Sequence, residues 1–577
     1  MANINKNYPL YKTVYIDDIR SLVENSAKNF PDNIALSYKV KPSDKEVVDV
    51  TYTEWRKDVV ALGTALIANG HREKTIALIG ENSYKWCCSF FAIMAIGSVV
   101  VPVDKDLAPE DIAGIINVSE CDAVIFGKNA EAKVKEVKDS LTTVRDFYAI
   151  NDETETGAKK LSELIAKGNE LVANGDNSYF DYKLDPNKLA SIVFTSGTTG
   201  KGKGVMLSQA NIGQDMTCGM YNFAITSKTL HVLPPHHTFG STVNYVGHLA
   251  QGVQIYISSG LKYVSEEIKE QSPTHLILVP AFVEVMYKKI WNTARKSGKE
   301  GLLKAMIAVS NFGRKFGIDA RRKLFASVLE AFGGKLEMII CGGAKLDEDI
   351  IKTFDAIGIT ILNGYGITEC APLISANRNL YQKKDSVGTP IIGERVKIAN
   401  PDENGEGEIL VKGPNVMLGY FKNPEATAEA FDEDGYFRTG DYGRLDDEGW
   451  IYITGRLKNL IILSNGKNVY PEEIEADIQK IPGVTEVVVY AGESTIQKGK
   501  DLIVAEIYPD TELLLSKEIT DTKSYFEAEI KKLNAKMPPY KAVKCVKIRN
   551  TEFEKNTSRK IMRFKIDKSV DAEGENK

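Results

Sequence analysis

The residues best suited to chemistry lie in a short run rich in glycine, hydroxyl and lysine side chains. Residues 195–204 read Thr-Ser-Gly-Thr-Thr-Gly-Lys-Gly-Lys-Gly. Glycine lets a backbone approach a ligand closely, and consecutive N–H groups, joined by hydroxyl and ammonium donors, form a nest for an anion. The alternative is a flexible surface loop, which four hydroxyls, four glycines and two lysines in ten residues disfavour. We therefore predict a phosphate-binding loop.

The spacing of this run decides between two kinds of phosphate loop. Residues 197–203 fit the pattern G-x-x-x-x-G-K, but Gly204 stands where a P-loop NTPase needs a Ser or Thr for magnesium. The run instead resembles the Ser/Thr/Gly-rich signature of the adenylate-forming (AMP-binding) superfamily, the acyl-CoA synthetases and their relatives. Gly202 replaces the Pro or small apolar residue common there, which we expect to loosen the loop without removing donors. The nucleotide-binding residues implied are Thr195, Ser196, Gly197, Thr198, Thr199, Gly200 and Lys201.

Two further motifs follow in the order typical of that family. Residues 363–369 resemble its Y-G-x-T-E motif, which implies that Tyr365 stacks on adenine, Thr368 contacts the α-phosphate and Glu369 holds magnesium. A flat ring, a small donor and a hard anionic ligand suit these roles, although the run alone could be a glycine-rich turn around a buried tyrosine. A second match is the adenine-contacting turn, formed by Gly342, Gly343 and Ala344.

The last third of the chain carries three more resemblances. Residues 437–441 resemble the ribose-binding motif, with Asp441 accepting from the ribose hydroxyls. Residues 455–458 resemble the hinge motif, with Arg456 beside the nucleotide and Lys458 at the pivot. Residues 553–560 resemble the catalytic-lysine motif, in which Lys560 bridges the carboxylate and the α-phosphate; alone, Lys560 would be a surface lysine. Two residues depart from this motif: Arg559 stands where Gly is common, and Asn556 stands where Thr is common. We expect them to change the conformation of the loop more than the role of Lys560.

The elements that must position these motifs predict an α/β fold with mostly parallel sheets. Short β-branched runs alternate with helical patterns; the strands are expected at 75–79, 98–103, 122–126, 190–195, 254–257, 275–279 and 336–340, and helices at 86–96, 281–291 and 321–331. A hairpin at 396–411 opens a small β-rich section, and a compact α/β alternation follows residue 458. We predict an AMP-binding N-terminal domain over 1–456, a hinge at 457–459, a C-terminal lid domain over 460–566 and a tail over 567–577.

Composition limits the class of protein and its location. The 577 residues are 43% hydrophobic and 26% charged, with net charge −5, so the chain is globular and lacks the basic footprint of a nucleic-acid binder. Seven cysteines without a CxxC pair favour a reducing, cytoplasmic compartment, and no signal peptide is expected. The uncharged residues 86–103 could span a bilayer by length, but their Ser, Gly and Pro favour a buried helix and strand. Peripheral contact with the inner face of the membrane stays open.

The acyl group is expected beside residues 234–240. In the resembled family an aromatic or His at the position of His237 lines the acyl site; an ordinary strand-end histidine is an equal alternative. Amino-acid-activating relatives carry an Asp here, whereas residues 231–264 hold no Asp or Glu, so an apolar acid is favoured. The helical stretch at 291–334 is long and basic, and in this arrangement the chain resembles long-chain fatty acyl-CoA synthetases. It could form a tunnel wall, a surface for anionic lipid, or only a solvated helical pair.

The resemblance covers about residues 15–565 and implies a two-step ligase. A fatty acid would attack the α-phosphate of ATP, with Mg²⁺ as cofactor, to give acyl-AMP and pyrophosphate. The thiol of coenzyme A (CoA) would then take the acyl group. Two alternatives stay open: an enzyme that loads an acyl or aryl acid onto a carrier protein, and a non-catalytic NTP-binding protein.

Overall fold

The structure is a computed structural model that describes residues 10–195, 202–464, 467–493, 502–555 and 561–570. Its contacts divide the chain into two compact units. The first comprises Met1–Val396, Val411–Phe437 and Asp447–Trp450; the second comprises Lys397–Leu410, Arg438–Asp446 and Ile451–Lys577. The domain limits expected at 456 and 460 stay a prediction.

Strands of the described residues form five sheets. In chain order they are β1 Ile34–Tyr38, β2 Val48–Thr51, β3 Thr75–Ile79, β4 Val99–Val103, β5 Ala123–Phe126, β6 Asp146–Ala149, β7 Lys159–Lys160, β8 Leu189–Thr195, β9 Lys203–Ser208, β10 Lys228–His231, β11 Gln254–Ile257, β12 His275–Leu278, β13 Met338–Cys341, β14 Thr360–Gly366, β15 Leu373–Ala376, β16 Thr389–Pro390, β17 Arg395–Ala399, β18 Gly407–Lys412, β19 Gly419–Tyr420, β20 Phe437–Leu445, β21 Ile451–Arg456, β22 Ile461–Ile462, β23 Asn468–Val469, β24 Val484–Ala491, β25 Ile503–Pro509 and β26 Cys545–Ile548.

Two large sheets form the first unit. One has the order β16-β15-β14-β13-β12-β10-β11-β1-β2, with β14, β13, β12, β10, β11 and β1 parallel. The other has the order β19-β9-β8-β4-β3-β5-β6-β7, parallel from β8 to β7 and antiparallel at β8–β9 and β9–β19. The α/β class with mostly parallel sheets is confirmed.

The smaller sheets have the orders β17-β18-β20-β21, β22-β23 and β24-β25-β26. The β-rich section expected from residue 396 is the first of these. The helices, in chain order, are α1 Ile19–Asn29, α2 Tyr52–Ala68, α3 Tyr84–Ala95, α4 Pro109–Val118, α5 Glu131–Val137, α6 Leu161–Ala173, α7 Ser178–Asp181, α8 Gln209–Gly219, α9 His248–Ala250, α10 Val264–Gln271, α11 Pro280–Lys296, α12 Glu300–Arg314, α13 Arg321–Leu324, α14 Ala326–Glu330, α15 Glu348–Ile357, α16 Pro424–Glu429, α17 Pro471–Ile478, α18 Thr511–Ser516 and α19 Thr522–Asn534. A π-helix covers Phe239–Gly247, and single 3-10 turns include Thr368–Cys370 and Leu457–Asn459.

The uncharged run at 86–103 is a buried helix followed by a buried strand, as predicted. Ser83 caps α3 by accepting from the Trp86 N–H at 3.2 Å, and every residue of α3 except Lys85 is buried. Strand β4 then pairs with β3 and β8 inside the sheet. Across the described residues, no helix combines the length and the apolar character needed to span a bilayer.

Strand β9 follows the predicted phosphate loop and pairs back on β8, and Ser208 then caps helix α8. One local prediction needs correction. The helix expected over 321–331 is two short helices, because the chain leaves helical geometry at the fully buried Phe325.

Candidate active site

The ends of neighbouring parallel strands gather several predicted residues at one edge of the nine-stranded sheet. Strands β10, β12, β13 and β14 are adjacent and parallel, so their carboxyl ends share that edge. Such an edge is the usual place for a ligand in an α/β sheet. His237 follows β10, the turn of Gly342 to Ala344 follows β13, and Tyr365 and Glu369 lie at the end of β14.

The turn after β13 touches both of its neighbours. The Gly342 N–H donates to the Leu278 carbonyl at 3.3 Å. A Cβ added at Gly342 would lie 3.4 Å from the Gly364 carbonyl oxygen and 3.4 Å from the Phe239 ring, so the predicted adenine turn, the tyrosine strand and the predicted acyl segment are in contact. Gly343 has φ +91°, which favours glycine, and Gly343 and Ala344 are exposed.

The end of β14 turns sharply to present Thr368 and Glu369. Tyr365 is buried and lies opposite Ser375 in β15. A Cβ at Gly366 would lie 2.1 Å from the Pro372 carbonyl oxygen, so only glycine fits there. The chain then forms the 3-10 turn Thr368–Cys370, which leaves the Thr368 and Glu369 side chains half-buried rather than enclosed.

The Glu369 carboxylate has a partner that sequence reasoning missed. The Tyr420 hydroxyl donates to Glu369 Oε1 at 3.0 Å, and the Met417 N–H donates to the Glu369 carbonyl at 2.8 Å. Burial, with the Glu369 carboxylate as a second cause, raises the pKa of Tyr420, so its phenol remains a protonated donor. Above the Tyr420 ring lies the Lys203 ammonium, 4.7 Å from the ring centroid. No local pattern indicates this cluster, because its three members are far apart in the chain.

The segment that carries Tyr420 also holds the predicted phosphate loop. Strand β19 pairs with β9, and the Phe421 N–H donates to the Gly204 carbonyl at 2.7 Å. Thr195 lies opposite Lys203 at the end of the β8–β9 hairpin next to the connecting loop, and its hydroxyl donates to the Lys203 carbonyl at 3.4 Å. Ser196, Gly197, Thr198, Thr199, Gly200 and Lys201 lie outside the described residues.

Gly202 lies where the backbone is tightly packed, and the expected loosening of the loop stays a prediction because residues 196–201 lie outside the described residues. A Cβ at this position would be 2.6 Å from the Thr195 carbonyl oxygen. This contact is too short for any side chain, so closure of the hairpin requires glycine here.

The expected acyl segment is buried and carries little charge. His237 is half-buried, and its carbonyl accepts from the N–H groups of Gly240 and Ser241 at 2.8 Å each, which starts the π-helix. The His236 ring lies 4.3 Å from that of His237, and His236 Nε2 is 3.6 Å from Asp104 Oδ2. Burial lowers the pKa of His236 to about 3, so this imidazole is neutral at physiological pH.

The predicted ribose and hinge residues lie together in the second unit. Asp441 and Arg456 are register partners on β20 and β21, and Arg456 Nε is 2.9 Å from Asp441 Oδ1. The carboxylate of Asp441 is buried while the guanidinium of Arg456 is partly exposed. Lys458 lies in the 3-10 turn Leu457–Asn459, and burial lowers its pKa. Lys560, Asn556 and Arg559 lie outside the described residues.

The residues around Glu369 fit a magnesium ion that accompanies a nucleotide. Within the described ranges, no group of three or more His, Cys, Asp and Glu side chains could form a metal cage. Mg²⁺ is usually held by one or two carboxylates together with substrate phosphates. A single half-buried carboxylate hydrogen-bonded to the Tyr420 hydroxyl, with the Lys203 ammonium over the same tyrosine ring, matches that donor set.

Comparisons with known proteins point to one family and one fold. A model of the family described as AMP-binding enzyme matches residues 23–421. The chain is 29% identical, over 80% of its length and 73% of the relative, to the long-chain-fatty-acid–[acyl-carrier-protein] ligase AEE15 of Arabidopsis thaliana. It is 28% identical, over 81% of its length and 72% of the relative, to long-chain-fatty-acid–CoA ligase 5 of Rattus norvegicus. Among solved structures, the adenylation domain of a carboxylate reductase from Mycobacterium chelonae has a TM-score of 0.79 at 21% identity, covering 95% of this chain and 89% of that one, which shows a shared fold.

Proposed function

The chain belongs to the AMP-binding enzyme family, and on that premise we propose that it activates a long-chain fatty acid as acyl-AMP and transfers the acyl group to CoA. In more general terms, the chain is an adenylate-forming ligase that joins a carboxylic acid to the thiol of CoA or of a carrier protein. The observation that carries the proposal is the convergence of the Gly342 turn, the Glu369 turn and the uncharged segment around Phe239 at one sheet edge.

The first step has an electrostatic barrier, because an anionic carboxylate must attack a polyanion. The carboxylate oxygen forms a bond to the α-phosphorus, and the bond to pyrophosphate breaks. We assign Thr368 to a hydrogen bond with the α-phosphate and Glu369, oriented by Tyr420, to magnesium, which would neutralise phosphate charge when bound. Lys560 is assigned to bridge the carboxylate and the α-phosphate, on the resemblance of its motif.

The second step needs no nucleophile from the protein. The CoA sulfur bonds to the acyl carbon, and AMP leaves with the bonding electrons. We propose that Asp441 holds the ribose, that Arg456, 2.9 Å away, lies beside the nucleotide, and that Lys458 is the pivot between the two steps.

The acyl segment supports an apolar acid. Residues 231–264 contain no Asp or Glu, the π-helix residues Gly240 to Gly247 are buried, and the neighbouring His236 is neutral. An ammonium group on the substrate would find no carboxylate in this segment to pair with. We propose His237 as an acyl-site residue because it begins the turn that packs Phe239 against Gly342. We place the protein in the cytoplasm, since its seven cysteines are free thiols.

A carrier-protein acceptor is the second candidate function. It is favoured by the Arabidopsis thaliana relative, whose name gives an acyl carrier protein as the acceptor. This alternative shares the first step with the proposal and differs only in the thiol that receives the acyl group.

One experiment tests the substrate and the acceptor together. AMP release is measured with acids from acetate to stearate and with benzoate, each with CoA, with phosphopantetheinylated carrier protein, or with neither. Each CH₂ buried in the acyl site should raise kcat/KM about fourfold, from roughly 0.8 kcal/mol per CH₂, until the site ends. A flat profile, or a preference for acetate or benzoate, overturns the long-chain assignment. Transfer to the carrier protein but not to CoA favours the second candidate, and absence of acid-dependent pyrophosphate exchange overturns both.

A further inference from the structure

Helix α12 is apolar on two opposite faces. One face packs into the unit: Leu303 and Ser310 are buried, and Met306 and Ile307 are half-buried against the core. The other face is open to solvent, with Leu302, Val309 and Phe312 exposed by 56%, 65% and 63%. Positions 302, 305, 309 and 312 follow the helical spacing of three and four residues and so share one side. A helix on a protein surface normally carries polar residues there.

The exposed side continues past the end of α12. Phe316 and Ile318 are 69% and 64% exposed, and the rings of Phe312 and Phe316 lie 5.0 Å apart. We call Leu302, Val309, Phe312, Phe316 and Ile318 the α12 face. A contiguous apolar patch of this kind indicates an interaction site, whereas single exposed apolar residues are ordinary.

The segment that carries the α12 face is rich in basic residues. Residues 288–323 contain eleven Lys and Arg against two Asp and Glu, in a chain whose net charge is −5. Some of these are neutralised: Arg295 and Lys304 pair with Glu300, and Arg314 and Arg321 pair with Asp355. In the described part of the chain the remaining lysines form no ion pair and are exposed; they are Lys288, Lys289, Lys296, Lys299, Lys315 and Lys323.

We propose that the α12 face docks on the surface of a bilayer that contains anionic phospholipid. Exposed Phe and Leu side chains enter the boundary between headgroups and acyl chains, while the lysines of this segment remain at the level of the phosphates, as on an interfacial amphipathic helix. A second copy of this chain fits the surface less well, since a symmetric contact would bring the same positive charges together. The role of this contact, bringing the enzyme to its acid, rests on the proposed function; the contact itself does not.

Co-sedimentation of the full chain with vesicles tests the proposal. The vesicles are phosphatidylcholine alone or with increasing phosphatidylglycerol, without acid or ATP. Binding should rise with the anionic fraction and fall as salt increases. The double variant Phe312→Ser/Phe316→Ser should bind at least about tenfold more weakly, and Lys296→Gln, Lys299→Gln and Lys315→Gln should each lose about fivefold.

Matched controls separate docking from damage to the fold. The double variant Val40→Ser/Leu380→Ser removes two apolar side chains that are each 70% exposed and lie outside the α12 face, and it should bind vesicles as the wild type does. Pyrophosphate exchange with a water-soluble acid should be equal in all of these proteins. If the proposed function is wrong, vesicle binding can still be observed. If docking on the bilayer is wrong, acid-dependent pyrophosphate exchange can still be observed.

Three results would overturn docking on the bilayer. One is binding that ignores the anionic fraction, and another is unchanged binding by Phe312→Ser/Phe316→Ser. The third is a wild-type dimer, seen by light scattering, that this variant dissociates without an effect on vesicle binding; it would make the α12 face a contact between copies.

Discussion

The substitution Tyr420→Phe removes a single oxygen atom beside the predicted metal ligand. That hydroxyl donates to Glu369 Oε1 at 3.0 Å, and Tyr420 is 8% exposed. The ring, which contacts Lys203, remains in the variant. Because the raised pKa keeps the phenol protonated, the wild type holds this hydrogen bond at every working pH.

The expected loss follows from a hydrogen bond to a half-buried carboxylate. A net contribution of about 1.5–3 kcal/mol is usual for a hydrogen bond to a charged group, and losing a partner that orients a metal ligand typically weakens metal affinity by about 10–100-fold. We expect Tyr420→Phe to weaken the binding of Mn²⁺ with ATP by a factor in that range. Maximal exchange at saturating metal should change much less, because the carboxylate itself is still present.

The assay is Mn²⁺ binding in the presence of ATP, followed by electron paramagnetic resonance with no acid present, alongside the Mg²⁺ dependence of pyrophosphate exchange. Tyr182→Phe is the matched control: its hydroxyl donates to Glu73 Oε1 at 2.6 Å, on the surface. Unchanged Mn²⁺ affinity in Tyr420→Phe would refute the orienting role, and a lower exchange rate with unchanged affinity would place the effect of the hydroxyl elsewhere.

Four other substitutions have expected outcomes. Glu369→Gln keeps the shape but removes the anion, so exchange should fall by orders of magnitude; normal rate and metal dependence would disprove the assignment. Gly202→Ala would place a Cβ 2.6 Å from the Thr195 carbonyl oxygen, so KM for ATP should rise, and an unchanged KM would contradict the tight hairpin. Lys458→Pro fixes φ near about −65° and should impair CoA transfer from supplied acyl-AMP more than exchange, whereas equal losses would exclude the pivot. Burial raises the pKa of Glu394 to about 8, above the ordinary value of 4.5, so this group stabilises the fold less as pH rises between these values. The unfolding free energy of Glu394→Gln minus that of the wild type should therefore rise by about 3 kcal/mol from about pH 5.5 to about pH 8.5. Urea unfolding at each pH measures this difference, and a difference that does not change with pH would refute the raised pKa of Glu394.

Several elements could be predicted from the sequence because their signals are local. Strands β3 and β11 lie at the predicted residues 75–79 and 254–257, since a short β-branched run can be recognised without a distant partner. The motifs are likewise contiguous, so their order along the chain already indicated the family. The helix expected over 321–331 is present at 321–324 and 326–330, and only the break at Phe325, whose backbone leaves helical geometry, was not indicated by the sequence.

Only the tertiary structure determined which of these residues meet. The sequence placed Thr368 and Glu369 in a motif but did not indicate Tyr420, 51 residues away, as the donor to Glu369. Nor did it show that Gly202 packs against Thr195, or that the open side of α12 carries Phe312 and Phe316. The physical reason is common to all three: local propensity and spacing identify residue types and elements, whereas a hydrogen bond, a close backbone contact or an uncovered face depends on how distant strands and helices pack.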